Sequence, residues 1–357
     1  MYNYRIQKLQ ESLEKGEAML ITSGSNRFYF TGFRSSAGFI LVAKERADFV
    51  IDFRYFERAK NHVKSCNVHL SQSNVNAIFN ELIRTSEIKR IYVETGSMSI
   101  DGMMRYAGYA KEVDFSTDNR IERVIRSLRS IKSDAEIDCI KRAQKITDDT
   151  FRYILERIEA GRTEREVMLD MEFYLRWQGS EGVSFNFIVL GGKNSSSPHG
   201  SPSDKILEKG DFLTMDFGAV IEGYRSDMTR TVAIGNVSDE QRMVYNTVLD
   251  AQLAAINAIK AGKVCKDIDD IARSLIYNAG YSGCFGHGLG HSVGIDVHES
   301  PSFNTSDESV LKPGMVLTVE PGIYLEGKFG VRIEDMVVVT DTGCVNLTHS
   351  PKELIIL

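Results

Sequence analysis

Two stretches of this chain repeat each other. ILERIEAGRTEREVMLDMEFYL aligns with AINAIKAGKVCKDIDDIARSLI at an offset of 101 residues, and both carry the turn Ile-x-Ala-Gly-(Arg/Lys), at 158–162 and 259–263. So long a period rules out a solenoid and implies two homologous halves within one domain. Each copy lies in a pair of helices. Ser133-Asp134-Ala135-Glu136 is a capping box opening a long helix with Ile137, Ile140 and Ile146 on one stripe, expected to run to Ile158 and stop at Gly161. Thr163-Glu164-Arg165-Glu166 opens the next, to about Gly179. Ser238 and Asp239 start a third that should end at Gly262, and a shorter one follows from roughly Lys266 to Ala279.

After each helix pair comes a pair of acids in strand-like sequence. Asp216 and Asp227 follow Gly161 by 55 and 66 residues; Glu320 and Glu334 follow Gly262 by 58 and 72. These near-equal offsets predict a pseudo-twofold axis that brings the acidic pairs face to face. FLTMDFGAVIEGYRSDMTRTVAIG reads as two strands around a turn at Glu222–Gly223. GMVLTVEPGIYL places Glu320 between an apolar strand and a Pro-Gly turn, and GVRIEDMVVVT puts Arg332 and Glu334 on one strand face. A single buried acid is most simply a hydrogen-bonded structural carboxylate. Four in symmetric, apolar contexts need cations, because an unpaired buried charge is costly. Four carboxylates match two divalent metals, spaced about 3.5–4 Å apart as in two-metal hydrolases. Oxygen-dominated ligation with one imidazole suits Mn²⁺, Co²⁺, Fe²⁺ or Zn²⁺, and the imidazole disfavours calcium.

Three of the seven histidines, His287, His291 and His298, fall in GHGLGHSVGIDVHESP at 286–301. The four-residue gap between the first two is that of helical zinc motifs, but Gly286, Gly288, Gly290 and Gly294 oppose a helix at about 1 kcal/mol each. The glycine spacing also resembles a loose dinucleotide loop, yet no helix follows; Ile295 to Pro301 reads as strand or loop. Spacing alone leaves metal binding, phosphate binding and core packing open.

At 357 residues, two domains are expected, 1–125 and 126–357. In the first, AMLITS and GFILVAKERADFVID are strands with a turn at Lys44–Arg46, NVNAIFNELIRTS is a helix and KRIYVET a strand. The basic run NRIERVIRSLRSIKS reads as a solvated helix face plus a connector. A net charge of −6 argues against nucleic acid and anionic membrane as partners. No apolar run approaches the roughly 20 residues of a membrane span, and the charged start is unlike a signal peptide. Five scattered cysteines without a C-x-x-C pair fit a reduced, cytoplasmic protein. His62, His69 and His349 read as ordinary structural or surface residues.

The strings MDFGAVIEGYRSDMTRT, GHGLGHSVGIDVHESP, LKPGMVLTVEPGIY and GVRIEDMVVVT resemble those of the pita-bread metallopeptidases, which include prolidase, aminopeptidase P and methionine aminopeptidase. LITSGSNRFYFTGFRSSAGFILV with VIDFRYFERA resembles the N-terminal domain of the prolidase and aminopeptidase P branch. The resemblance implies an α/β (α+β) chain: a creatinase/prolidase-type, ribonuclease H-like N-terminal domain, then a pseudo-twofold pita-bread catalytic domain. It implies hydrolysis of Xaa-Pro bonds in di- or oligopeptides through a hydroxide bridging two divalent metals, Mn²⁺ foremost, with Co²⁺, Zn²⁺ or Fe²⁺ as alternatives. Asp216 would chelate one metal, His291 and Glu320 the other, with Asp227 and Glu334 bridging and Glu320 also acting as general base. His199 and His298 would contact the substrate carbonyl, oxyanion or leaving nitrogen. His287 would line the substrate pocket, and Arg332 would orient carboxylates at the substrate-binding site. GGKNSSSPHG is flexible by composition and is expected to flank the cleft.

Ser302 departs from the pattern of many prolidases, which place an arginine there to grip a dipeptide's carboxylate; longer Xaa-Pro peptides are therefore plausible substrates. The resemblance also implies a homodimer. The rival readings are a metal-independent creatinase-like amidinohydrolase and a non-catalytic peptide-binding module; the complete five-ligand set opposes both.

Overall fold

A computed structural model describes residues 1–357, and the chain divides into two compact units, Met1–Arg129 and Ser130–Leu357. The first unit contains strands β1 (Glu17–Ile21), β2 (Phe39–Ala43), β3 (Ala47–Asp52), β4 (Asn67–Ser71), β5 (Arg90–Val93) and β6 (Asp114–Ser116). Its helices are α1 (Tyr2–Glu11), α2 (Gly24–Thr31), α3 (Phe53–His62), α4 (Val75–Thr85), α5 (Ile100–Tyr109) and α6 (Arg120–Ser130), the last running up to the boundary. The strands form one mixed sheet in the order β4-β3-β2-β1-β5-β6. Phe39, Phe79 and Tyr106 pack at ring distances of 5.3–5.6 Å in its core. On α6 the basic run finds acidic partners, Arg126 with Glu122 one turn away on the same helix and Arg120 with Glu17 of β1.

The second unit is built twice. Its first half runs α7 (Asp134–Leu155), α8 (Glu164–Trp177), β7 (Ile188–Gly191), β8 (Phe212–Phe217), β9 (Val220–Ile221), β10 (Tyr224–Arg225) and β11 (Met228–Ala233). The second runs α9 (Asp239–Ala258), α10 (Cys265–Ile276), β12 (Gly290–Ser292), β13 (Glu299–Phe303), β14 (Val316–Val319), β15 (Gly322–Leu325), β16 (Phe329–Arg332), β17 (Asp335–Val339) and β18 (Cys344–Asn346). The sheets are β11-β8-β7 and β13-β12-β14-β17-β18. Reciprocal capping boxes open α7, α8 and α9, which explains why the sequence placed their starts well.

The duplicated turn makes the same bonds in both halves. Gly161 N–H donates to Leu207 O at 2.9 Å and Leu207 N–H to Arg162 O at 2.8 Å; Gly262 donates to Leu311 O at 2.9 Å and Leu311 to Lys263 O at 2.8 Å. Both glycines need positive φ, +103° and +85°. These bonds expose a second repeat that the first alignment did not reach. LEKGDFLTMD at 207–216 matches LKPGMVLTVE at 311–320, each ending Leu-Thr-x-acid.

Three expectations need correction. The β8–β11 segment is four strands rather than two. It is one hairpin, with β9–β10 continuing the register of β8–β11, interrupted where Gly218 meets Ser226; a Cβ on Gly218 would lie 1.9 Å from Ser226 O. The Glu222–Gly223 turn stands as expected, with φ of 46° and 86°. In the second half Pro321–Gly322 is no turn, and Arg332 and Glu334 do not share a continuous strand. β15–β16 and β14–β17 are again one register with a break at Glu320–Pro321 and Ile333–Glu334. Pro321 has no N–H to give, and Glu334 N–H turns instead to Thr229 O in the first half, at 3.1 Å.

No helix is long and apolar enough to cross a membrane. The five cysteines form no disulfide.

Candidate active site

The two hairpin breaks face one cleft of about 860 Å³, within the size range of small-molecule sites. It is lined by His199, Asp216, Asp227, His287, His291, His298, Ser302, Glu320 and Glu334, among others. Strand alternation puts the acids there. On β8, Leu213, Met215 and Phe217 pack into the apolar cluster with α7 and α8, leaving Thr214 and Asp216 on the other face. On β14, Leu317 and Val319 pack into the second half's core, and Thr318 and Glu320 take the same places.

Ligand atoms of Asp227, His291 and Glu334 all lie within 4.8 Å of one another, a group able to hold a metal ion. His291 Nε2 is 3.3 Å from Glu320 Oε1 and 3.6 Å from Asp227 Oδ2. Thr318 Oγ1 donates to Glu320 Oε1 at 3.1 Å and accepts from His291 N–H at 3.0 Å. Asp216 Oδ2 accepts from Arg332 at 2.7 Å, and Glu334 Oε2 accepts from Thr229 Oγ1 at 2.8 Å. The remaining oxygens, Asp216 Oδ1 and Glu334 Oε1, are buried without a partner. Buried acceptors are normally satisfied, so these two oxygens fit the role of ligands to a cation.

The electrostatics agree. Burial, reinforced by the neighbouring acids, pushes Asp227 and Glu334 well above the usual carboxylate range. Burial also raises Asp216, against the pull of Arg332. Burial acts to lower His291, but the hydrogen bond and charge of Glu320, with Asp227, outweigh it and hold the imidazole at about 9. Burial works to raise Glu320, yet His291 brings it down to about 2. Without a metal the cluster therefore holds protons where a cation would sit.

His298 stacks edge-on against His291 with ring centroids 4.4 Å apart, and burial followed by the charge of His291 lowers its pKa. His287 lies in a chain that the sequence did not reveal. Arg332 donates to Tyr324 Oη at 2.8 Å, and Tyr324 Oη is 2.9 Å from His287 Nε2, whose Nδ1 lies 2.8 Å from Gly288 O. Arg332 is thus not on the cleft surface. It is buried behind the wall, its guanidinium engaged by Asp216, Thr229, Tyr324 and Pro198 O.

Ser302 sits opposite His291 in the β12–β13 register. The segment expected to be flexible instead forms a 3₁₀ turn, Gly192–Ser196, because its polar side chains find partners: Ser195 Oγ accepts from Gly330 N–H and Asn194 donates to buried Glu164. Two glycines of the histidine stretch, Gly288 and Gly290, serve close backbone approach. A Cβ on Gly290 would meet Thr318 O at 2.1 Å, and one on Gly288 would meet Phe303 O at 2.7 Å. His69 bonds Asp48, far in sequence from the cleft residues, and His62 packs on Phe33.

Comparison with known proteins points the same way. Residues 138–341 match the family described as Metallopeptidase family M24, and residues 5–131 match the Creatinase/Prolidase N-terminal domain. The uncharacterized peptidase YqhT of Bacillus subtilis (strain 168) is 43% identical over 96% of both chains. A solved Xaa-Pro dipeptidase from Bacillus anthracis is 38% identical over the whole of both chains, with a TM-score of 0.96. An X-Pro aminopeptidase from Thermotoga maritima MSB8 is 36% identical over 99% of both, with a TM-score of 0.90.

Proposed function

The chain belongs to metallopeptidase family M24, and from that premise we propose that it hydrolyses Xaa-Pro peptide bonds with two divalent metal ions, Mn²⁺ foremost. Asp216, Asp227, His291, Glu320 and Glu334 would hold them. The observation that carries this reading is the convergence of both halves' acids and His291 on one cleft, with Asp216 Oδ1 and Glu334 Oε1 buried and unpartnered. Bound there, such ions supply Lewis acidity, polarising the scissile carbonyl and lowering the pKa of a water.

The chain's own groups do the rest. Glu320, ionised and steadied by Thr318, accepts the proton of the attacking water. His298, neutral at neutral pH because its pKa is lowered, offers an N–H to the developing oxyanion or the leaving nitrogen. His199 lines the same cleft and shares that work. Arg332 holds Asp216 in place and, through Tyr324, orients His287 toward the substrate. A proline amide has no N–H, so the leaving side needs no acceptor for it. Phe185, Phe187, Val297 and Phe303 give that ring an apolar wall.

Ser302 brings a hydroxyl rather than a cation to the cleft, which favours Xaa-Pro peptides longer than dipeptides. The test compares Ala-Pro with Ala-Pro-Ala, with and without Mn²⁺, Co²⁺ or Zn²⁺. Metal-dependent release of alanine from the tripeptide in preference to the dipeptide is expected; preference for Ala-Pro would overturn the longer-substrate reading. Absence of both hydrolysis and metal uptake would instead favour a peptide-binding module. We also propose a homodimer, checked by sedimentation equilibrium.

A further inference from the structure

The connector between α6 and α7 places a lysine inside the protein. Lys132 is 4% exposed. Its ammonium donates to Ser292 Oγ at 2.9 Å and lies 3.2 Å from Glu299 Oε2. Its backbone is fixed beside the start of β14, where Lys132 N–H donates to Gly314 O at 2.9 Å. Glu299 uses its other oxygen on two backbone donors, Ile295 N–H at 2.9 Å and Asp296 N–H at 3.2 Å. Gly294 leaves room for this carboxylate, since a Cβ there would lie 2.6 Å from Glu299 Oε1.

One ammonium therefore ties down both ends of the segment 292–299, through Ser292 at its start and Glu299 at its end. His291 immediately precedes that segment and His298 lies within it, their rings in edge contact. Glu299 is drawn inward to Lys132, and His298, the residue just before it, lines the cleft.

We infer that Lys132 is a positioning residue, acting through Glu299 to set His298 relative to His291. Its consequence for catalysis rests on the proposed role of His298 in Xaa-Pro hydrolysis; the positioning itself does not. Removing one partner would leave an uncompensated buried charge and invite unfolding. The variant of choice is therefore the neutral pair K132M/E299Q, with the more polar neutral pair K132Q/E299Q as the second variant.

Histidine-labelled, zinc-loaded protein is compared by NMR before and after substitution. The ring signal of His298, assigned by its loss in H298A, is expected to shift or broaden while those of His62 and His69 stay in place. With Ala-Pro-Ala, kcat is expected to fall on the order of 10–100-fold, as slight misplacement of a reacting group does. KM should stay within about threefold, and zinc content should be unchanged. In an H298A background the same substitutions should cost almost nothing further, a non-additivity that general destabilisation does not produce. An unmoved His298 signal, or a loss that adds in full to that of H298A, would overturn the inference. A shifted His298 signal in a protein whose wild type leaves Xaa-Pro peptides intact would overturn the substrate reading and support the positioning.

Discussion

The two halves of the second unit share a frame and differ in what they mount on it. Both have a helix pair, a Gly turn bonded to a leucine, and a Leu-Thr-x-acid strand entering an interrupted hairpin. Acids gather at each interruption: Asp227 within it and Asp216 on the paired strand just before it in one half, Glu320 and Glu334 in the other. The imidazoles are unevenly shared. Between α8 and β8 the first half offers only His199, whereas between α10 and β14 the second half offers His287, His291 and His298. Duplication thus explains the carboxylates, and divergence after it explains the histidines. The matched threonines show the same split. Thr214 bonds Thr231 and serves the sheet, while Thr318 bonds Glu320 and His291 and serves the site.

The largest expected effect tests whether the halves contribute equally to the metal site. Asp227→Asn and Glu334→Gln should each abolish measurable hydrolysis and reduce metal content, more than the roughly 10–100-fold that loss of an outer partner costs. If one half's variant kept full activity and metal, the pseudo-symmetric site would be wrong.

Next, the threonines should part company. Thr318→Val should lower kcat about 10–100-fold, while Thr214→Val should cost about 1 kcal/mol of stability with little change in rate. Equal effects on rate would erase the distinction drawn above.

Metal removal gives a further contrast. In the metal-free protein Asp227 and Glu334 have raised pKa values, so the folded state holds protons that the unfolded chain has released. That stabilisation is present below the ordinary carboxylate range and is lost as pH rises through the raised values. Chelation should therefore lower Tm more at pH 7 than at pH 5, read by calorimetry with and without metal. A gap that shrinks toward pH 7 would contradict it.

Smallest is the test of the shared frame. Gly161→Ala and Gly262→Ala each force alanine to positive φ at a place with no atom near the new Cβ. Each should lose about 1–2 kcal/mol of stability in urea unfolding. A large difference between them would mean that the two turns are not equivalent.

The legible parts of the sequence were those with local causes. Capping boxes at Ser133, Thr163 and Ser238 mark helix starts by themselves. The acids stood out because strand alternation sets them among apolar neighbours. What escaped notice depends on contacts distant in sequence. The role of Tyr324 exists only once Arg332 and His287 flank it. The break before Glu334 depends on Pro321 across the hairpin and Thr229 in the other half. The order of 192–196 depends on Glu164 and Gly330, which composition does not show. The Leu-Thr-x-acid repeat was visible in principle, but its apolar positions look like those of any buried strand.

Arg332 has a consequence beyond steadying Asp216. Arg332 is 3% exposed and its guanidinium lies against the cluster, so it counts toward the charge of the site. Four carboxylates with one guanidinium leave three negative charges, and two divalent cations bring four positive ones. With both ions bound as proposed, the imidazoles neutral and only a water between the ions, the cleft carries one surplus positive charge in a poorly solvated place, which the attacking hydroxide cancels. Small anions such as acetate or phosphate should then act as competitive inhibitors, because the surplus that draws a hydroxide into the cleft does not distinguish it from another anion.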